Sequence, residues 1–408
     1  MNREKMQAIN QKIADKCPYM LDGVLKPMHT SLPVPLPQKE WQKMQKMPAI
    51  VAGWVKRSVE IYLWSLTNPE LFWVRDMIER GSSPETVEWS RAFTASERVV
   101  NPCFARPDMS QCGKIVELQI PGSTYGVISI FEPGLIEGTK NIYRSVSGTD
   151  ADRWLYVYFN RNMVKDTEHL TQQVGMRLCI REIPDNWRNY SLIRRQFLHQ
   201  LIEVPHGKDV LAAALTGDII IDPLPCLLFD QKLMSVFPFH SKLRSLYGDD
   251  VRNIMPQTAL LEKDKHGNPL PVYLGEKCLS IHEILTMSNS QRDFVLKYAG
   301  TDPWLRFGGH GVYRLKGLSH ERCKKLFAEA LRSNDPWILQ EGCWEKHLAV
   351  FLNGTGELHN VEDYYTLWRP VFSLYPEPKM VSLVVYQSQS WKVHGTSESL
   401  ITVPAITD

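Results

Sequence analysis

The 408-residue sequence has no long apolar segment, no paired cysteine motif and no marked excess of charge of one sign. No apolar run approaches the ~20 residues that a helix needs to cross a bilayer, and the charged N-terminal segment lacks the apolar core of a signal peptide. The formal net charge of +2 gives no reason to expect nucleic acid or a membrane surface as a partner. We therefore expect a cytoplasmic protein.

The eight cysteines form neither a C-x-x-C pair nor a cysteine–histidine zinc pattern. Their scatter favours reduced core thiols, as is usual in the cytosol. Hydrophobic residues make up 43% of the chain and charged residues 23%, which are the proportions of a soluble globular protein with a large core. Internal repeats and low-complexity segments are also lacking, which indicates one enzyme-sized unit.

Short β-rich runs alternate with helical patterns from about residue 96 onward, which predicts α/β organisation. The predicted strands include KIVELQI, YGVISIF, WLYVYF, MRLCIREI, FVLK, PWILQEG, VFSLY and MVSLVVYQ. Residues 1–95 have apolar residues at three-to-four spacing and are predicted to be mostly helical. SHERCKKLFAEALRSND predicts a helix that Ser319 caps and that buries Leu326, Phe327, Ala330 and Leu331 on one face.

A strand that ends in a lysine is followed by a glycine-rich loop in FVLKYAGTDPWLRFGGHGVYRL, residues 294–315. The ammonium of Lys297 can hold a nucleotide phosphate, or it can reach outward into water. The loop contributes Arg306, Gly308, Gly309, His310 and Gly311. Glycines let backbone N–H groups converge on an anion, and the arginine and histidine can add charge-assisted donors. The loop matches neither the G-x-x-x-x-G-K-[ST] phosphate loop nor a dinucleotide fingerprint.

The next predicted strand, PWILQEG, ends in Gln340 and Glu341. Its backbone edge and these two side chains can lie beside an adenine, or the side chains can simply be solvated. The segment alone favours neither interpretation.

Three oxygen-bearing side chains lie close together in RPDMSQCGKIVELQ, residues 106–119. Glu117 and Gln119 point to the same face of their strand because side chains alternate, and Asp108 precedes the turn. Carboxylate and amide oxygens suit Mg²⁺, and Arg106 could neutralise a phosphate or a substrate carboxylate beside them. The alternative is an edge strand with a polar, solvated face.

In this order, R-P-D…V-E-L-Q, V-L-K…G-G-H-G and W-I-L-Q-E resemble the parts of the circularly permuted ATP-grasp ligases, such as the glutathionylspermidine synthetase type. The resemblance is one of motif order and covers roughly residues 95–405. It implies an α/β (α+β) ATP-grasp fold preceded by a mostly helical N-terminal region. It also favours a phosphate clamp over a long hairpin at Lys297.

The resemblance implies a role for each candidate residue. The metal positions would be Asp108, Glu117 and Gln119, and the nucleotide positions Lys232, Lys297, Gly308, Gly309, His310, Gly311, Gln340 and Glu341. Arg106 and Arg306 are the candidates for neutralising charge beside them. Arg369, at a strand end, could hold a substrate or phosphate in the same way, or it could form a structural ion pair. Lys242 is a second candidate for the position given to Lys232, and His394 is a weaker candidate near a strand end. Gln119 stands where the family has asparagine, so that its amide oxygen lies one methylene farther from the backbone.

The expected organisation has five parts. These are residues 1–95, helical; 96–184, with the metal strand; 185–255, a linking subdomain; 256–345, with the lysine strand and the glycine flap; and 346–408, strands that return to the core. The implied reaction joins a small-molecule carboxylate to an amine of an amino acid, peptide or polyamine, with ATP and Mg²⁺ as cofactors. The alternatives are a catalytically degenerate nucleotide-binding scaffold, which Gln119 favours, and a phosphotransferase on the same fold.

Overall fold

The computed structural model describes residues 3–21, 24–26, 29–96, 101–120, 124–302, 305, 310–344, 346–352, 356–393 and 399–408. Within these ranges the chain has a mixed α/β architecture with one seven-stranded and two four-stranded sheets. Among the helices described, none is both long enough and apolar enough to span a membrane. None of the eight cysteines, all of which lie within these ranges, forms a disulfide, and five of them are buried.

The N-terminal region is mostly helical, and its short strands join the C-terminal end of the chain. Its elements are α1 (Arg3–Lys16), β1 (Tyr19–Leu21), β2 (Val24–Lys26), β3 (His29–Thr30), β4 (Val34–Pro37), α2 (Gln38–Ser65), α3 (Phe72–Glu79) and α4 (Pro84–Ala95). Helix α4 begins after Ser83, whose Oγ accepts a hydrogen bond from the backbone N–H of Thr86 at 3.3 Å. Helix α2 buries Trp54, whose Nε1 donates to the carbonyl of Met234 at 3.1 Å.

The seven-stranded sheet, called the large sheet below, has the order β3-β20-β19-β18-β5-β6, with β17 paired to β18. Its further strands are β5 (Phe104–Ser110), β6 (Ile115–Gln119), β17 (Lys346–Leu352), β18 (Leu358–Ser373), β19 (Lys379–Ser388) and β20 (Leu400–Thr402). The pairing is antiparallel except between β20 and β3, and a separate strand β21 (Pro404–Thr407) runs parallel to β4. Both predicted tail strands, VFSLY and MVSLVVYQ, lie in this sheet.

The parallel sheet has the order β10-β9-β7-β8 and is flanked by helices, as the α/β pattern predicts. Its elements are α5 (Tyr125–Phe131), α6 (Gly134–Ser147), β7 (Trp154–Tyr158), α7 (Val164–Val174), β8 (Arg177–Ile180), β9 (Leu192–Arg194), α8 (Leu198–Glu203), α9 (Gly207–Thr216) and β10 (Ile220–Asp222).

The strand predicted for YGVISIF is wrong, because this segment forms helix α5. Residues 125–130 are buried on every side, and a short run that is apolar all round cannot be assigned to a helix or a strand by its periodicity. The backbone N–H groups of Gly126 and Val127 donate to the carboxylate of Asp166 on α7, at 3.2 and 2.7 Å. This distant partner stabilises the first turn of the helix, and the local sequence does not show it.

The second four-stranded sheet, the lysine sheet, has the order β11-β16-β14-β15 and is antiparallel. This region contains α10 (Asp249–Asn253), β11 (Thr258–Leu260), β12 (Val272–Leu274), β13 (Lys277–Leu279), α11 (Ile281–Thr286), β14 (Phe294–Tyr298), β15 (Val312–Arg314), α12 (His320–Arg332) and β16 (Trp337–Glu341). The predicted cap of α12 is confirmed, since Ser319 Oγ accepts from the N–H of Arg322 at 3.2 Å. The helix buries Cys323, Leu326, Phe327 and Ala330.

Candidate functional site

Strands β5 and β6 place four of the candidate side chains on one face of the large sheet. Arg106 lies opposite Gln119, and Asp108 lies opposite Glu117 in the antiparallel ladder. Opposed residues in such a ladder share a face, as do residues two apart along one strand. The alternation of polar residues in RPD and VELQ therefore brings these groups together, as the sequence predicts.

Asp108 is buried and is held between two guanidinium groups. Arg369 on β18 donates a hydrogen bond from Nη2 to Oδ2 at 3.1 Å. Its Nε lies 3.0 Å from Oδ1, which is an ion pair without the geometry of a hydrogen bond. Nη2 of Arg106 lies 3.5 Å from Oδ1. Burial lowers the pKa of Arg106, and the carboxylate of Asp108 opposes this shift. The three side chains form a charged cluster in which the carboxylate offsets part of the desolvation of the arginines.

Gln119 is tied into the same cluster by both ends of its amide. Its Oε1 accepts a hydrogen bond from Nη2 of Arg106, and its Nε2 lies 3.4 Å from Oδ2 of Asp108 as a donor. Arg106 also donates from Nη1 to the hydroxyl of Thr124. The amide oxygen that the sequence assigns to a metal thus faces a guanidinium group.

Lys297 crosses from the lysine sheet to the large sheet. Its Nζ donates to the carbonyl of Val116 on β6 at 2.7 Å and to Oε1 of Gln340 on β16 at 2.7 Å. Gln340 is oriented in turn by its Nε2, which donates to Oγ1 of Thr258 at 3.1 Å. Burial lowers the pKa of Lys297 to about 8, although the carboxylate of Glu117 favours the charged form.

Glu117 faces two lysines from different parts of the chain. Its Oε1 lies 3.5 Å from Nζ of Lys232, which begins a short 3₁₀ turn. Burial alone would raise the pKa of Glu117, but the positive charges of Lys232 and Lys297 outweigh burial, and the pKa lies below its ordinary value. The predicted residues Lys232, Lys297 and Glu117 therefore meet at one place.

These three residues border a small cavity, which we call the lysine cavity. Its volume is about 20 Å³, roughly the room of one water molecule. Its lining is contributed by α2, β6, the turn after residue 230 and the lysine sheet: Trp54, Val116, Glu117, Leu118, Gln231, Lys232, Met234, Ser235, Lys297 and Ile338.

Asp108, Glu117 and Gln119 are the predicted ligands of Mg²⁺, which takes oxygen ligands and commonly one or two carboxylates. Within the described ranges no group of three histidine, cysteine or acidic side chains could hold a metal ion. The oxygens of Asp108 and Gln119 face arginines, whereas Glu117 keeps a side chain that is 29% exposed. Of these three residues, only Glu117 fits a magnesium site. Magnesium binding by all three residues stays a prediction that these contacts do not favour.

The remaining candidates lie around this centre or outside the described residues. Gly311 is tightly packed, because a Cβ atom there would lie 2.5 Å from the carbonyl oxygen of Leu305 and 2.6 Å from Cβ of Tyr298. His310 is exposed in the turn that precedes β15. Glu341 donates from its backbone N–H to the carbonyl of Gln257 at 2.9 Å, and its side chain is half-buried. Arg306, Gly308, Gly309 and His394 lie outside the described residues.

Lys242 does not belong to the lysine cavity. Its side chain is exposed, and its Nζ lies 5.8 Å from the centre of the Trp73 ring. Of the two lysines considered for the second nucleotide position, only Lys232 lies beside Glu117.

Sequence reasoning missed Arg194, a buried arginine at the carboxyl end of β9. Its guanidinium carbon lies 4.8 Å from the ring centres of both Tyr125 and Tyr156. Asp222 is its neighbour on β10, but the two oxygens of that carboxylate accept from the backbone N–H of Cys103 at 2.7 Å and from the Tyr143 hydroxyl at 3.0 Å. SLIRR contained one indication of this residue, an arginine at the end of an apolar run, because ligands of parallel α/β sheets bind at the carboxyl ends of strands.

Comparisons with known proteins give a fold and no sequence family. No protein-family model matches the chain, and neither does any curated protein sequence. The apo structure of a glutathione synthetase-like effector from Globodera pallida has a TM-score of 0.52 and 10% identity, over 99% of this chain and 96% of that one. At this identity the likeness shows a shared fold. The mixed α/β fold is thus shared with that effector, and the circularly permuted ATP-grasp assignment stays a prediction.

Proposed function

We propose that this protein binds ATP between the lysine sheet and the large sheet and acts as a carboxylate–amine ligase. The observation that carries the proposal is the meeting of Lys297, Lys232 and Glu117, which are contributed by three separated segments of a glutathione synthetase-like fold. Two ammonium groups beside one carboxylate give a local excess of positive charge, which suits a polyphosphate. The fold alone does not define a reaction.

In the proposed reaction, a carboxylate oxygen of the acid attacks the γ-phosphorus of ATP while the bond from that phosphorus to ADP breaks. The nitrogen of the amine then attacks the acyl carbon, phosphate leaves, and the proton of the amine passes to phosphate or water. Lys297 and Lys232 neutralise the oxygens of the transferred phosphoryl group and hold it in line. Magnesium, when bound, would add positive charge at the phosphates, and Glu117 is the residue that would hold it.

Arg194 is proposed to hold the carboxylate of the acid or of a second carboxyl group on the substrate. Its guanidinium is buried at 3% exposure and is fixed by two tyrosine rings, and the neighbouring Asp222 attracts it but already accepts from Cys103 and Tyr143. An arginine held in this way presents a planar fork of donors that matches a carboxylate. It lies on the side of Tyr125 and Thr124, next to the hydrogen-bond partner of Arg106.

One observation favours a second candidate, a nucleotide-binding scaffold without turnover. Guanidinium groups face the oxygens of Asp108 and Gln119, so the part of the site predicted to hold metal is neutralised by the protein itself. Such a site would bind a nucleotide with or without Mg²⁺ and would not transfer its phosphoryl group.

The experiment is nucleotide product analysis with ATP, Mg²⁺ and a pooled set of amino acids, dicarboxylates, peptides and polyamines. We expect ADP and phosphate whose formation requires the pool and is lost in Lys297→Met. Lys324→Met, on the exposed side of α12, is the matched control. ATP binding that depends on Lys297 without turnover would establish the scaffold, and a stable phosphorylated product would establish a phosphotransferase. No binding of ATP would reject all three.

A further inference from the structure

A second cavity lies at the junction of the lysine sheet and β17–β18, and we call it the aromatic pocket. Its volume is about 390 Å³, within the range of roughly 300–1,000 Å³ that is usual for small-molecule sites. It is lined by Arg314, Lys316, Trp344, Lys346, Tyr365 and Trp391. None of these residues belongs to the site described above.

The walls of the aromatic pocket are flat rings. The rings of Trp344 and Trp391 meet edge to face, with centroids 6.0 Å apart and planes at 67°. Tyr365 on β18 also lines the pocket, and its hydroxyl lies 3.4 Å from Nη1 of Arg314. Both tryptophans and the tyrosine are half-buried, so part of each ring remains open to a ligand. Such surfaces bind flat rings by stacking, largely regardless of the ring's polar edge.

The charges around these rings are mostly positive. Arg314 is fixed by two hydrogen bonds of 2.9 Å to Asp293, and Lys316 lies 3.2 Å from the same carboxylate. Lys316 and Lys346 keep side chains that are 44% and 45% exposed. The partner of Lys346 is Asp363, which is 73% exposed at 3.3 Å and therefore holds it only weakly.

Rings and charges are also in contact with each other. The ammonium of Lys346 lies 5.7 Å from the centre of the Tyr365 ring, and that of Lys392 lies 5.6 Å from the centre of the Trp391 ring. A ligand whose ring stacks here therefore has cationic donors at its edge. Asp293 and Asp363, the two carboxylates in ion pairs with lining residues, are already occupied by Arg314, Lys316 and Lys346.

We propose that the aromatic pocket binds a small organic anion that carries a flat ring. Its anionic group would lie against Lys316 and Lys346, and its ring against Trp391 and Trp344. The proposal does not depend on the ligase reaction. Two sources carry a flat ring together with a negative charge, namely an aromatic carboxylate and a nucleotide. Arg314 lies opposite Val295 in the ladder between β15 and β14, so it shares a face of the lysine sheet with Lys297. Competition with ATP therefore tests whether the ring is that of a nucleotide.

The experiment is isothermal titration of the full chain with matched probes. These are 1-naphthoate, cyclohexanecarboxylate (charged but not flat), 1-naphthamide (flat but uncharged) and acetate. We expect 1-naphthoate to bind at least about tenfold more tightly than each of the others, because ring stacking and charge are both required. Equal affinity for cyclohexanecarboxylate, or no binding of 1-naphthoate, would overturn the proposal.

Variants then locate the binding. Trp391→Ala should weaken 1-naphthoate about tenfold or more, and Lys346→Gln several-fold, whereas the exposed-residue controls Trp64→Ala and Lys324→Gln should have no effect. Thermal melting checks that each variant is folded, and Trp344→Phe replaces Trp391→Ala if the latter is not. Binding that survives changes at both Trp391 and Lys346 would also overturn the proposal.

Competition distinguishes the two sources of the ring. If ATP displaces 1-naphthoate and this displacement is lost in Lys297→Met, the base-bearing end of the nucleotide enters the aromatic pocket. If 1-naphthoate binds and ATP does not displace it, the pocket takes a separate aromatic anion. Either result supports the pocket. Failure of ATP to bind at all, with 1-naphthoate binding intact, would reject the proposed function and leave this inference standing.

Discussion

The lysine cavity and the aromatic pocket border the same lysine sheet, but their charged groups are arranged in opposite ways. In the lysine cavity, Lys297 contacts Val116 across the gap between two sheets, Glu117 contacts Lys232, and about 20 Å³ is left. In the aromatic pocket, Lys316 and Lys346 remain near half exposed around about 390 Å³. The difference indicates that the first site is closed by its own charges, whereas the second is open.

The largest effect should come from the charged cluster beside the lysine cavity. Asp108→Asn removes the carboxylate shared by two buried arginines, so the free energy of unfolding should fall by about 3–5 kcal/mol. Urea unfolding measures the change, with Asp76→Asn in an exposed pair as the control. A loss below about 1 kcal/mol would mean that the cluster is already hydrated and not closed.

The next effect concerns ATP. Lys297→Met removes a buried charge that we expect to contact phosphate, and ATP affinity should fall roughly 10- to 100-fold, the cost of a hydrogen bond to a charged group. The same variant should bind 1-naphthoate as the unmodified protein does. Titration calorimetry with both ligands tests the separation of the two sites. Equal losses for both ligands in a folded variant would show that they are one site.

The lysine cavity should also respond to pH. Because the pKa of Lys297 is about 8 and its phosphate-binding form is protonated, ATP affinity should decline as pH rises through 8. The free energy of unfolding should instead increase as pH rises. The unfolded lysine keeps its proton up to its ordinary pKa of 10.5, so between pH 8 and 10.5 the unfolded state holds more protons and the free energy of unfolding rises with pH.

Lys297→Met provides the reference for this pH dependence. Unfolding is measured by urea at several pH values for both proteins, and the slope between pH 8 and 10.5 should be steeper in the unmodified protein. Parallel slopes would mean that Lys297 is not desolvated.

The smallest effect should come from the aromatic pocket. Asp293→Asn removes the partner of Lys316, which is 44% exposed, and of Arg314, which is 8% exposed, so the free energy of unfolding should fall by about 1–3 kcal/mol. The open cavity can solvate Lys316, so most of this loss comes from Arg314. A loss as large as that of Asp108→Asn would show that the pocket is as dry as the lysine cavity.

The sequence predicts best where a pattern is local. Alternation in VELQ places Glu117 and Gln119 on one face, and the cap and apolar face of the helix after Ser319 follow from neighbouring residues. Motif order also joins Lys297 to Glu117, although they are far apart in the chain. The helix at YGVISIF was missed because its stabilising partner, Asp166, lies on another element.

The sequence also could not predict whether Asp108 binds a metal or pairs with an arginine, because the partner again lies far away in the chain. Asp108 and Arg369 are separated by 261 residues, and nothing in either segment indicates that they pair. A carboxylate is a metal ligand or an ion-pair partner according to what the fold places beside it. For Arg194, the segment SLIRR contains an arginine at the end of an apolar run, but the sequence does not show the two tyrosine rings, which come from a helix and from another strand.

The hydrogen bond from Lys297 to the carbonyl of Val116 has a consequence for how tightly a ligand can bind. It joins the two sheets between which ATP is proposed to bind, whereas the bond to Gln340 lies within the lysine sheet, so the proposed binding requires a form in which the two sheets are separated. If the separated form makes up about 1% of molecules, the observed dissociation constant is about a hundredfold larger than that of the separated form itself.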